Sequence, residues 1–225
     1  MQELEKKIGY VFKDKSILET ALTHSSYANE HKGMSKVSNE RMEFLGDSVL
    51  GMTVADHLYS DYPDMTEGGM TRLRAELVCE NSLRRVSVEI GLGKHIKLGK
   101  GEEHSGGRDR SSILADAVEA LIAALYLDGG FGVSRAFIVK YILSEISTIE
   151  RRRNSDYKTA LQELVQQQSG QVLSYNVLGE SGPDHNKRFE TEVCLNGKPI
   201  GIGVGRTKKV AEQAAAKRAL EELER

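Results

Sequence analysis

The stretch "SSILADAVEALIAALYLDGG", residues 111–130, is apolar around most of a helical circumference. A helix of that kind has no solvent face to offer, so other elements must pack it on more than one side. Its apolar run, "ILADAVEALIAALYL" at 113–127, is too short for a membrane span and carries Asp116 and Glu119. The chain around it must therefore supply a helical body with this segment at its centre. Charged groups in such a setting are costly unless they are paired or bound to a metal. Asp116 and Glu119 stand three apart, on one face, and share their stripe with Ala120 and Ala123. They read either as acids that surface or pair with arginines such as Arg72 and Arg74, or as half of a shared acidic site.

A second stretch sharpens that choice. In "NERMEFLGDSVL", residues 39–50, an advance of about 100° per residue puts Glu40, Glu43 and Asp47 in one narrow stripe. Met42, Leu45, Val49 and Met52 then gather on nearly the opposite side, which is expected to be the buried face. Like charges at these spacings repel, and the nearby Arg41 points elsewhere. The stripe is either a solvated face or part of a site whose charge a divalent cation balances. Facing side chains on two helices are how metal sites are built in helical bundles. Glu67 sits in the first turn of a further helix behind Thr66 as N-cap, a position that favours an acid in any case.

Apolar residues recur at helical spacing through residues 1–147, with breaks at "SDYPD" and the glycine-rich "GKGEEHSGGRDRSS". The first domain, 1–147, is expected to be all-α, with Gly129 and Gly130 ending the helix that begins near Ser112. "TIERRRNSD" interrupts the periodicity, and 148–155 is read as a linker. The pattern then changes. "DYKTALQELVQQQSG" is helical and ends at Gly170, "LSYNVLGESG" and "RFETEVCLNGKPIGIGVGR" alternate like strands, and Asn196-Gly197 is placed as a tight hairpin turn. "TKKVAEQAAAKRALEEL" closes the chain as an alanine-rich helix. Residues 156–225 therefore read as a small α+β domain, α-β-β-β-α in order.

A hydrophobic content of 39% with 28% charged residues is that of a globular protein without membrane segments. The first residues, "MQELEKKIGY", lack the layout of a secretory signal. Cys79 and Cys194 are far apart, with no zinc spacing, so both are expected to be reduced and buried in a cytoplasmic setting. The net charge of −2 is not the footprint of a nucleic-acid binder, yet the basic runs at 150–158 and 205–218 can meet phosphates locally. No His-Glu-x-x-His, Gly-x-Ser-x-Gly or phosphate-loop pattern occurs. His24, in "LTHSSY", is read as a hydrogen-bonded structural residue. All-oxygen donors favour Mg²⁺ or Mn²⁺ over zinc.

Four blocks carry a resemblance. "ERMEFLGDS" is similar to the signature stretch of bacterial ribonuclease III, with Met42 where leucine is commoner. "TEGGMTRLRAELV" and "GGRDRSSILADAVEALIAALYLD" resemble that family's two other recognisable blocks, and "LEKKIGYVFKDKSILETALTHSSYANE" its N-terminal segment. The tail from Asp156 resembles a double-stranded-RNA-binding domain. The blocks come in the family's order and cover practically the whole chain.

The resemblance implies a Mg²⁺-dependent endoribonuclease, with Mn²⁺ as a possible substitute, that hydrolyses double-stranded RNA. Glu40, Glu43, Asp47, Glu67, Asp116 and Glu119 would line its catalytic valley, and Glu43, Asp47, Asp116 and Glu119 would hold the metal. Phe44 would insert into the partner subunit of a homodimer formed through the catalytic domain; on the residues alone it reads equally as a core aromatic. Implied products are 5′-phosphate and 3′-hydroxyl ends with short 3′ overhangs, and implied substrates are ribosomal RNA precursors and structured messenger RNAs. By the same resemblance Thr159, Gln162 and Glu163 meet one minor groove, His185 another, and Lys208 and Lys209 the phosphates between them. A lysine is common in such domains where this chain has Glu212. Two other readings stand beside this one: a non-catalytic RNA-binding dimer, against which the intact set of six acids weighs, and a metal protein acting on small phosphate esters, against which the tail weighs.

Overall fold

The computed structural model describes residues 1–31, 37–153, 156–166, 170–183 and 187–223, without the side chains of 150–153. Two compact units emerge, Met1–Ser147 and Thr148–Arg225. Ten helices are described in order from the N-terminus: α1 (Gln2–Ile8), α2 (Lys15–Ala21), α3 (Ser25–Glu30), α4 (Glu40–Asp61), α5 (Glu67–Val78), α6 (Glu80–Ile90), α7 (Lys100–His104), α8 (Ser111–Gly129), α9 (Phe131–Tyr141) and α10 (Ile146–Arg153). The polar run at 148–153, read from the sequence as linker, is thus helical. Glu and Arg are good helix formers, and Ile146 and Ile149 are buried three apart on one side of it.

Helix α8 is the centre of the first unit. Of its residues, Ile113 to Ala115, Ala117, Val118 and Ala120 to Leu125 are buried, and it packs against α2, α4, α6 and α9. That is the burial on several sides which its apolar circumference demanded. It ends at Gly130, whose positive φ of 80° a residue with a side chain would resist.

The buried face of α4 is not the expected one. Met52 is 55% exposed and Met42 and Leu45 are only half-buried; the buried residues are Gly46, Val49, Leu50, Thr53, Val54 and Leu58. This arc adjoins the acidic stripe instead of opposing it. The cause is Gly46, where a Cβ would stand 1.8 Å from the carbonyl oxygen of Glu119. With no side chain there, the backbone of α8 seats directly on α4, and that contact outweighs the larger apolar residues on the other side. Phe44, Met52 and Tyr59 are left 77%, 55% and 78% exposed on the outer face.

The second unit is α11 (Tyr157–Gln166), a sheet of β1 (Leu173–Ser181), β2 (Arg188–Leu195) and β3 (Lys198–Gly205), and α12 (Lys208–Leu223). The strands are antiparallel in the order β1-β2-β3. Leu195 pairs with Lys198, and the two residues between, Asn196 and Gly197, have φ of 52° and 79°. Two positive φ values make the primed turn that Asn-Gly favours, as its position in the sequence implied. The Asn196 side chain also accepts from Val172 N–H at 2.9 Å, tying the turn to the start of β1.

Glycines alternate along β3 and face α12. A Cβ at Gly203 would lie 2.1 Å from Ala215 N and 2.3 Å from Ala211 O. Ala211, Ala215 and Ala219 are wholly buried, so small residues of the helix lie directly on the strand backbone. Gly203→Val is therefore expected to lower the stability of this unit by about 2 kcal/mol or more, since backbone cannot move aside as a side-chain tip does. Thermal melting together with duplex-RNA binding checks this; an unchanged melting midpoint would contradict the close packing.

Candidate active site

Helices α4 and α8 present three acids to one point. Oxygen atoms of Glu43, Asp116 and Glu119 all lie within 4.8 Å of one another, and each residue is half-buried. Glu43 comes from the first turn of α4, at the edge of the arc that Gly46 brings against α8. Asp116 and Glu119 come from consecutive positions on the facing stripe of α8. Close contact at Gly46 and Glu119 sets the span between the two carboxylate-bearing surfaces.

The electrostatics are those of crowded like charges. Burial first, then Asp47, Asp116 and Glu43, push the Glu119 carboxyl up to about 7 from 4.5. Burial raises Glu43 as well, reinforced by Asp116, Glu40 and Asp47. Burial also raises Asp116; His24 opposes that shift and Glu80 adds to it. Half-buried carboxylates crowded within 4.8 Å of one another, all of them oxygen donors, suit a hard divalent ion such as Mg²⁺ or Mn²⁺.

A protonated Glu119 favours the folded state: its contribution is present in full below the ordinary value of 4.5 and is lost as pH rises through about 7. A bound cation removes that repulsion. The rise in melting midpoint on adding Mg²⁺ over chelator is therefore expected to be larger near about pH 8 than near about pH 5.5. A rise independent of pH would detach the cation from this cluster.

The other sequence candidates are placed as follows. Asp47 is exposed, one turn beyond Glu43, outside the three-residue group although its charge acts on Glu119. Glu40 is exposed, accepts from Ser38 Oγ at 2.8 Å and acts on Glu43. Glu67 begins α5 behind Thr66, which accepts from Gly69 N–H at 3.2 Å as the sequence suggested. It lines a separate cavity of about 250 Å³ with Tyr59, Met70 and Arg74. Sequence reasoning missed Gly46, whose signal was a glycine inside a well-patterned helix, and Glu80, which had none.

In the second unit Thr159, Gln162 and Glu163 are exposed on α11. Asp156 accepts from Thr159 Oγ1 at 2.9 Å and from Gln213 Nε2 at 2.8 Å, and Gln213 Oε1 accepts from Lys158 N–H at 3.1 Å. These bonds lock the start of α11 to the second turn of α12. Lys208 and Lys209 are exposed at the start of α12, where the Thr207 hydroxyl accepts from Val210 N–H at 3.2 Å. Lys208 Nζ lies 5.9 Å over the Phe189 ring. Glu212 holds Lys158 at 2.6 Å, and that ammonium also sits 4.4 Å over the Tyr175 ring. His185 lies outside the described residues. Of the cysteines, Cys194 is buried but Cys79 is exposed, because it falls at the junction of α5 and α6; both are free thiols.

Comparison with known proteins bears on both units. Residues 14–146 match the family model described as Ribonuclease-III-like, and residues 157–223 match the Double-stranded RNA binding motif. The chain is 48% identical to Ribonuclease 3 of Listeria monocytogenes over 222 residues, 99% of this chain and 97% of the relative. Against Ribonuclease 3 of Caldanaerobacter subterraneus the identity is 52%, over 98% of this chain and 96% of that one. Among solved structures, the nuclease domain of ribonuclease III from Campylobacter jejuni, whose described subject includes a region involved in dimer formation, superposes with a TM-score of 0.59 at 38% identity. It covers 63% of this chain and 94% of its own.

Proposed function

The chain belongs to the ribonuclease III family and is a double-strand-specific endoribonuclease, and from that premise we propose that it cuts RNA duplexes with Mg²⁺ held by the acidic cluster of α4 and α8. The observation that carries this reading is the convergence of Glu43, Asp116 and Glu119 within 4.8 Å. Asp47 joins them as the fourth ligand, its charge already acting on the same point from the exposed side of α4. Glu40 and Glu67 line the approach to the phosphodiester. A divalent ion there supplies positive charge against the phosphate and acidifies a water, and Mn²⁺ can replace Mg²⁺. The carboxylates fix the place of that charge and repel an RNA backbone that arrives without it.

The RNA is selected by its shape. Thr159, Gln162 and Glu163 meet 2′-hydroxyls in one minor groove, His185 meets the next, and Lys208 and Lys209 meet the phosphates between them, helped by the positive end of α12. The lock between α11 and α12 supports this reading, because it holds the two contact sets in one orientation. Phe44, Met52 and Tyr59, large and exposed on one face of α4, support a homodimer through the catalytic unit. A dimer gives one cut on each strand, leaving 5′-phosphate and 3′-hydroxyl ends with short 3′ overhangs. The substrates on this reading are cytoplasmic ribosomal RNA precursors and structured messenger RNAs. No helix among the described residues is long and apolar enough to cross a membrane.

The test is end-labelled duplex and single-stranded RNA incubated with the full chain in Mg²⁺, in Mn²⁺ and in chelator. Cutting of the duplex alone, in either metal and not in chelator, is expected. Duplex binding in all three conditions without cutting in any would leave the non-catalytic binding dimer as the better account.

A further inference from the structure

Thr159 is exposed in the first turn of α11, and its hydroxyl proton is committed to a neighbour. Oγ1 donates to Asp156 Oδ2 at 2.9 Å, and Thr159 N–H reaches Asp156 Oδ1 at 3.4 Å. An ionised carboxylate has no proton to give, so the direction of the first bond is fixed and the threonine is the donor. Gln213 Nε2 donates to Oδ1 at 2.8 Å, and Gln213 with Thr159 holds the Asp156 carboxyl below its ordinary value against burial.

Gln213 is held from both ends of its amide. Its Oε1 accepts from Lys158 N–H at 3.1 Å, one of the N–H groups that the first turn of a helix leaves without an intrahelical partner. A carboxylate on one side and a backbone N–H on the other allow that amide a single orientation. Lys158 in turn is held by Glu212 at 2.6 Å and lies 4.4 Å over the Tyr175 ring. Asp156 is therefore placed by the protein's own bonds, before anything meets α11.

A hydroxyl has one proton and two lone pairs. With the proton given to Asp156, Thr159 Oγ1 can only accept from a molecule that meets the exposed side of α11. We propose that Asp156 and Gln213 are positioning residues for RNA recognition, committing the Thr159 proton inward so that Oγ1 accepts from a ribose 2′-hydroxyl, the donor that a DNA backbone lacks. The assignment rests on the reading above that this face of α11 meets a minor groove. Donation to a carboxylate also makes the oxygen a better acceptor, since hydrogen bonds in a chain polarise one another. The second unit then tells RNA from DNA by a chemical contact as well as by the shape of the duplex.

The probes are an RNA duplex of about 16 base pairs and the same duplex with fluorine in place of every 2′-hydroxyl, which keeps the A form and removes the donor. Binding of the full chain to each is measured in chelator, and the preference is the ratio of the two affinities. Misfolding weakens both alike and leaves that ratio unmoved. The unaltered chain is expected to prefer the hydroxyl duplex, and Thr159→Val to lower that preference about three- to tenfold, the worth of one net hydrogen bond. Asp156→Ala frees the proton to turn outward and is expected to lower the preference by about twofold or more. Because both changes act through one oxygen, the double variant is expected to match Thr159→Val alone. Gln213→Leu is expected to lower the preference in the same direction as Asp156→Ala. A preference kept by Asp156→Ala, or losses that add in the double variant, would reduce Asp156 to a cap of α11, and a preference kept by Gln213→Leu would reduce Gln213 to a tie between helices. An unaltered chain that binds both duplexes equally overturns the minor-groove reading of Thr159 and this assignment together.

Discussion

Glu119→Gln is expected to bind a long RNA duplex as tightly as the unaltered chain and to leave it uncut. The substitution keeps size and hydrogen-bonding capacity while removing the charge that burial and three neighbouring acids already press on. In the proposed site that charge holds the cation, and metal-derived stabilisation of a phosphoryl transition state amounts to several kcal/mol. At about 1.4 kcal/mol per tenfold the loss is about a thousandfold in cleavage rate. Removing one of several mutually repelling acids also relieves the fold, so the melting midpoint in chelator is expected to stay level or rise. Gel shift in chelator, single-turnover cleavage in Mg²⁺ and a melting curve give the three readings. Equal cutting by both proteins would remove Glu119 from the chemistry. Loss of cutting together with loss of binding would point to misfolding.

Gly46→Ala is expected to do nearly as much harm while touching no acid. Its added Cβ would meet the Glu119 carbonyl oxygen at 1.8 Å, its carbonyl carbon at 2.5 Å and its Cα at 3.1 Å. All three belong to helical backbone, so α4 and α8 must part. Overpacking of this kind costs about 1–3 kcal/mol in stability. The larger effect falls on geometry, because the contact that must open sets the span between Glu43 and the α8 acids. A displacement of about 1 Å at a catalytic centre costs about 100-fold in rate. The expected pattern is a lowered melting midpoint, duplex binding retained through the second unit, weakened Mn²⁺ affinity and cleavage reduced by about two orders of magnitude. Full activity with a lowered melting midpoint would mean that the cluster tolerates a wider span than its observed one.

Much of the architecture was legible along the chain. The apolar circumference of 111–130 demanded a buried central helix, and α8 is that helix. Asn196-Gly197 announced its turn, Thr66 its cap and Gly130 its stop, because each depends on backbone conformation or on hydrogen bonds within a few residues. The change from helical spacing to alternation separated the two units. The polar run after Ile146 is helical through Arg153, which composition did not show, since a solvated helix and a linker share the same residues.

The acidic cluster was legible as a set of candidates and not as a site. Helical periodicity reports the angle of a side chain about its own axis and is silent on how near another helix comes. Angles alone grouped Glu40, Glu43 and Asp47 as equals and put the buried face of α4 at Met42, Leu45, Val49 and Met52. Packing rotated that face toward Gly46 and Leu50, half-buried Glu43, and left Glu40 and Asp47 in solvent. Glu67, which its N-terminal helix position alone would explain, lies outside the three-acid group among the described residues. Which carboxylates converge is fixed by the distance between two helix axes. That distance is set at Gly46 by the absence of a side chain against the backbone of a residue 73 positions away.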